Sequence, residues 1–198
     1  GSEMCLTDTT ISAENSGRRI NWGGRMWLRG ASALALLGLL GCADTEKADY
    51  QYDVDLRWTS YGIPHVKAND WGSLGYGFAY ATATDAVCVI AKDVQMVNGN
   101  LSAHFGPEGG NLPSDIFHKA ILTDAKLADY DQQQSARAKA MNVGYAAGYN
   151  RFLEDHKDSM PKSCAGADWV RPITETDLIR LGIGAVSYTH LRAHETSP

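Results

Sequence analysis

Apolar and polar positions alternate along Tyr52–Arg57 (YDVDLR), which puts Tyr52, Val54 and Leu56 on one face. That period of two predicts a half-buried strand. Trp58–Gly62 reads as a turn and Ile63–Ala68 as a second short strand, so the pair forms a hairpin. Pro64 has no N–H to give to a ladder, so this strand should begin after it or lie at an edge. From Trp71 the period changes. Tyr76, Tyr80, Ala83, Val87, Ile90, Val94 and Val97 recur at spacings of four and three, the apolar stripe of a helix. Asn69-Asp70 can cap its start, and Asn98-Gly99-Asn100 can end it. Gly72, Gly75 and Gly77 weaken its first turns by up to about 1 kcal/mol each. Close approach of another backbone is the expected reason. Leu101–Phe105 is a short amphipathic piece before the Gly106–Gly110 loop, and residues 111–122 show no regular pattern. A second long helix is predicted over 125–156, with a core stripe of Ala136, Ala140, Val143, Ala147 and Phe152. Ser159–Trp169 is a loop. Thr174, with Asp177 three positions on, opens a third helix in the manner of a capping box. There is no internal repeat and no low-complexity stretch.

Composition fits this mixture. The 198 residues are 44% hydrophobic and 21% charged, a balance that excludes a fibrous or wholly disordered chain. The formal charge is −5, and Lys and Arg are not clustered. That argues against a nucleic-acid partner.

The two ends divide the length. Ala31–Gly41 is an apolar run of eleven residues, short of the roughly 20 that span a bilayer. Met26-Trp27-Leu28-Arg29 precedes it, with a start residue and a positive charge. Leu39-Leu40-Gly41-Cys42 closes it and resembles a bacterial lipobox, in which cleavage falls before the cysteine and its thiol receives the lipid. Residues 26–42 are therefore read as a lipoprotein signal peptide with Cys42 as the lipidated residue. The competing reading is a buried helix that ends in cysteine. Ala43 resembles the residue that sorts such proteins to the outer membrane. The expected location is the periplasm, with membrane contact only through the lipid. Residues 1–25 then lie upstream of the start as non-native translation. At the other end, residues 187–198 (SYTHLRAHETSP) resemble translated sequencing adaptor. His190 and His194 are spaced as a helical metal pair, and on that resemblance they are not assigned as one. The native mature part is then 43–186. It has 13 Lys and Arg against 19 Asp and Glu, a charge of −6.

Within 43–186 there is no GxSxG, HExxH, Walker A or dinucleotide fingerprint. His65, His104, His118 and His156 read as structural or surface residues. No catalytic residue and no metal ligand is assigned.

Five ordered blocks carry a resemblance. They are Thr59–Ala68 (TSYGIPHVKA), Leu74–Asp85 (LGYGFAYATATD), Asn98–Gly106 (NGNLSAHFG), Gly148–Leu153 (GYNRFL), and Cys164 followed by Trp169–Ile173 (WVRPI). Together they are similar to the start of the penicillin acylase family. Cys88, Cys164 and the Trp169–Ile173 block most resemble its acyl-homoserine-lactone and aculeacin acylase branch.

The resemblance implies an α+β fold: a helix-rich fragment of an αββα N-terminal-nucleophile hydrolase, with an N-terminal β-hairpin followed by long helices. It implies a precursor that cuts itself into an α and a β chain. The first serine of the β chain attacks the amide, with its own α-amine as base. Oxyanion donors on the β chain complete the site. Residues 43–186 would be a partial α chain, inactive without its partner, the β chain of the same precursor. The implied substrate is a small acyl amide such as a penicillin, an N-acyl-homoserine lactone or a lipopeptide. The last α-chain helix lines the acyl pocket in the family, which puts Gly182, Ile183, Ala185 and Val186 near it as substrate-binding residues. Plain helix packing is the alternative for these four. Some members bind calcium with ligands partly beyond this end, so no calcium ligand and no other cofactor is assigned here. In an oxidising periplasm Cys88 and Cys164 are expected to pair, tying the first long helix to the loop before the third. Two buried thiols are the alternative. The rival to the whole reading is a small envelope lipoprotein that binds or scaffolds without catalysis.

Overall fold

The computed structural model describes residues 7–12 and 51–195. The proposed signal peptide and Cys42 lie outside them. Three strands form an antiparallel sheet in sequence order: β1 (Thr7–Ser12), β2 (Asp53–Trp58) and β3 (Pro64–Ala68). β2 and β3 are the expected hairpin, with Leu56 opposite Val66. β3 begins at Pro64 and is an edge strand, so the missing N–H costs the ladder nothing. β1 falls in a stretch that the sequence pattern had set aside. It pairs with the free edge of β2, with Thr9 opposite Leu56.

Six helices follow: α1 (Trp71–Val97), α2 (Leu101–Phe105), α3 (Asn111–Ile121), α4 (Asp124–Gln133), α5 (Ala136–Asp155) and α6 (Glu175–Glu195). Asp70 caps α1 by accepting from the Ser73 amide at 2.8 Å and from its hydroxyl at 2.7 Å. The same hydroxyl oxygen accepts the Asp53 N–H at 3.1 Å, which ties the start of β2 to the first turn of α1. α1 is long and apolar enough to cross a membrane, yet half of that stretch is buried inside the fold. Its apolarity is that of a core helix. Val87, Val94, Ala79 and Ala83 pack there with Leu56 of β2, Tyr149 and Phe152 of α5, and Ile173.

The glycines set how α1 meets its neighbours. A Cβ on Gly144 would overlap the Gly72 carbonyl, and one on Gly148 would overlap the Tyr76 carbonyl. A Cβ on Gly75 would strike the Met141 carbonyl. Backbone meets backbone along this seam. Gly77 instead faces Val54 and Val66, where the hairpin rests on the helix.

Three expectations are corrected. The helix predicted over 125–156 is two helices. Gln134 and Ser135 are extended (ψ 141° and 154°). The Ser135 hydroxyl accepts from the Ala138 N–H at 3.2 Å and starts α5 afresh. The buried face of α5 is also rotated from the predicted stripe. Gly144, Ala146, Gly148, Tyr149 and Phe152 are buried, while Ala136 is exposed and Val143 only partly covered. Glycine counts for nothing in an apolar stripe, but here it is the contact. Residues 111–122, expected to be irregular, hold α3. That helix buries Asp115 and His118 and exposes Leu112 and Ile116, so its apolar residues do not mark its inner face.

Cys88 and Cys164 form a disulfide, with Cα atoms 5.6 Å apart and a sequence separation of 76. It joins α1 to the Ser159–Trp169 loop. The rest of that segment is held by side-chain amides. Gln95 donates to the Trp169 carbonyl at 2.8 Å. Asn150 donates to the Ile173 carbonyl at 2.9 Å and accepts the Ile173 N–H at 2.8 Å.

Candidate functional site

α1, α3 and α6 line a half-open cavity of about 520 Å³, within the size range of small-molecule sites. Met96, Val97, Pro113, Phe117, Leu181 and Ala185 give it apolar walls. Asp93, Ser114 and His118 are its polar members. Burial pushes the Asp93 carboxyl up, against the opposing charge of Lys92.

Each wall has a local cause. α1 delivers Asp93, Met96 and Val97 in its last turns, just before Gly99 (φ +66°) turns the chain away. α3 is set by Asp115, which accepts the Leu101 N–H and the Ser102 N–H, both at 2.8 Å. Burial alone would raise that carboxyl, but these bonds and Lys119 hold it below its usual range. One turn on, His118 donates Nδ1–H to the Ser114 carbonyl at 2.8 Å.

α6 is anchored by a buried carboxylate. Asp177 receives both Arg171 guanidinium nitrogens (2.8 and 3.0 Å), the Asn98 side-chain amide (2.8 Å) and the Thr174 N–H (2.9 Å). The reciprocal Asp177 N–H to Thr174 hydroxyl bond, at 3.4 Å, completes the capping box read from sequence. Burial alone would raise this carboxyl, but the bonds from Arg171, Thr174 and Asn98 hold it below its ordinary value. A depressed folded-state pKa adds stability that is present above the unfolded value near 4 and lost as pH falls through the folded one. Asp177→Asn keeps the shape but leaves Arg171 without its counter-charge. We expect a loss of about 2–3 kcal/mol at pH 7. Urea midpoints measured from pH 7 to pH 3 should converge for the two proteins. A constant gap would refute the assignment.

Of the four residues expected at the acyl pocket, Ala185 lines the cavity, while Gly182, Ile183 and Val186 do not. Val186 is 58% exposed, and a Cβ on Gly182 would meet open space. Gly184 and Leu181 also line this cavity. A helix turns 100° per residue, so four nearly consecutive residues cannot share one wall. The walls from α1 and α3 were not anticipated, and the irregular reading of 111–122 hid Pro113 and Phe117.

Two further histidines have structural settings. His156 stacks on Phe152, 4.2 Å between ring centroids, and His104 lies 3.4 Å from Asp168. Among the described residues no group of three or more His, Cys, Asp or Glu is placed to hold a metal ion. Asp124 and Asp131, which share a surface depression with Glu175, are paired with Arg180 and Lys139.

A family model described as penicillin amidase matches residues 53–195. Acyl-homoserine lactone acylase PvdQ of Pseudomonas putida is 37% identical over 156 residues, covering 75% of this chain and 20% of that protein. Aculeacin-A acylase of Actinoplanes utahensis is 36% identical over 166 residues, covering 73% and 21%. The chain thus spans about a fifth of the length of the curated relatives it matches. A solved thermostable penicillin G acylase from Alcaligenes faecalis superposes with a TM-score of 0.63 at 26% identity. There the match covers 74% of this chain and 76% of the other, so the two polypeptides are of similar length.

Proposed function

This chain belongs to the penicillin amidase family, and on that premise we propose that it is the N-terminal part of an exported amide hydrolase. The observation that carries the reading is the family match across 53–195 in a chain one-fifth as long as its relatives. The reaction is hydrolysis of an acyl amide to a carboxylic acid and an amine. The serine nucleophile, its α-amine base and the oxyanion donors belong to the missing β chain, so this polypeptide alone does not turn over. Its share is a scaffold and one side of an acyl site. The cavity beside Ala185 suits a hydrocarbon tail, because its walls are largely apolar and its volume is that of a small ligand. The relatives are named for acyl-homoserine lactones and for aculeacin A, which favours an acyl amide of that kind as the substrate. Export and a lipid anchor at Cys42 are supported by the apolar run before Cys42 and by the disulfide.

The test is to express the complete reading frame and the 198-residue chain separately. Each is then incubated with penicillin G, an N-dodecanoyl-homoserine lactone and an acylated lipopeptide. The complete polypeptide should split in two and release the free acid from at least one amide. The short chain should release none. Release by the short chain would overturn the placement of the nucleophile, and a complete polypeptide inert on all three amides would overturn the hydrolase.

A further inference from the structure

His118 presents the cavity with an acceptor that no described residue uses. Its ring is 5% exposed and lines the cavity between α1, α3 and α6. Nδ1 lies 2.8 Å from the Ser114 carbonyl oxygen. A carbonyl oxygen only accepts, so the hydrogen sits on Nδ1. In the neutral ring Nε2 is then a bare acceptor. Its hydrogen bonds to described residues, to the Ser114 carbonyl and hydroxyl, both run through Nδ1. Gly184 of α6 faces the other edge of the ring, and a Cβ built there would stand 3.7 Å from Nε2. The glycine keeps a side chain away from that atom.

The apolar walls alone would suit a plain hydrocarbon. A plain chain filling the cavity would strip Nε2 of water and leave a buried acceptor unpaired, which costs more than an ordinary hydrogen bond contributes. We propose that the tail taken up here carries a hydroxyl group that donates to Nε2, so that His118 sets specificity at the acyl site. The inference rests on the acyl-site reading given above. A tail ending in a carboxylate is disfavoured, because the lining includes the Asp93 carboxyl and no Lys or Arg. An ammonium would lose its hydration between apolar walls. A hydroxyl supplies the one donor at the least cost.

The full 198-residue chain, with isotope-labelled histidine, is titrated with octanamide, 3-hydroxyoctanamide and 8-hydroxyoctanamide. Calorimetry reads affinity and nitrogen NMR reads the His118 ring. The unliganded ring should show the Nδ1–H tautomer. At least one hydroxyamide should bind about ten-fold tighter than octanamide. It should also move the Nε2 resonance upfield, as a new donor does, and octanamide should not. His118→Asn keeps an amide N–H for the Ser114 carbonyl but lacks Nε2, and it should bind all three amides alike. Equal affinities in the wild type, the Nε2–H tautomer, or a hydroxyl preference that survives in His118→Asn would overturn the proposal. So would saturable binding of none of the three, whereas the NMR result on the wild type decides the matter even if His118→Asn does not fold. A hydroxyl preference in this chain, with no amide cleaved by the complete polypeptide, would sink the hydrolase reading and leave the site standing. Cleavage by the complete polypeptide with no such preference would sink this inference alone.

Discussion

Replacing Gly144 and Gly148 together by valine is expected to leave no folded protein. Each new Cβ would enter the space of a backbone carbonyl, at Gly72 and at Tyr76. A flexible side chain could swing away at small cost, but a carbonyl inside a helix cannot. The two helices would have to part along the seam that also carries Tyr149 and Phe152, both buried in the core. Overpacking of an adaptable core costs about 1–3 kcal/mol per site. Two sites against rigid backbone should exceed that and approach the whole stability of a domain, about 5–15 kcal/mol. Gly182 is the control. It sits within α6, and a Cβ there meets open space. Gly182→Ala should stabilise by about 0.5–1 kcal/mol, because alanine loses less backbone entropy in a helix. Circular dichroism during urea titration separates the cases. A cooperatively folded double-valine variant would refute the backbone seam.

The second large effect concerns Cys88–Cys164. A cross-link closing a loop of about 76 residues stabilises by about 4 kcal/mol in the chain-entropy account. Reduction, or Cys88→Ser with Cys164→Ser, should lower the melting temperature by roughly 8–16 °C. It should leave the helical spectrum at 25 °C largely intact. The double-serine variant should be indifferent to reductant. If reductant shifted its melting as much as that of the wild type, the bridge would not be the cause. Mass analysis of the non-reduced protein should show two hydrogens fewer than the reduced form.

The hairpin, the Asp70 cap, the α1 stripe and the Thr174–Asp177 start of α6 are all legible in the sequence. In each, a local pattern and a local contact agree. Even the three early glycines of α1 point to the close approach that the structure contains. What could not be read has physical reasons. α5 hides its contact face in Gly144 and Gly148, which carry no hydrophobic signal. α3 turns Asp115 inward because two amides of α2 need an acceptor, a demand set fourteen residues away. The break at Gln134–Ser135 did leave a signal, a serine three positions before Ala138, but alanine-rich sequence on its far side masked it. The cavity was half legible for the same reason. Of its α6 wall only Ala185 was among the residues named from resemblance, and its α3 wall required knowing that α3 exists.

Asn150 gives to and takes from the same residue, Ile173, through one planar amide. That is the exchange an antiparallel neighbour makes across a hydrogen-bonded pair. A single side chain on α5 thus imitates one rung of a sheet for a segment that has no sheet. The backbone of Trp169–Ile173 is therefore held from outside itself, by Gln95 at one end and Asn150 at the other. An isosteric aspartate at 150 would keep the volume while losing the donor to the Ile173 carbonyl.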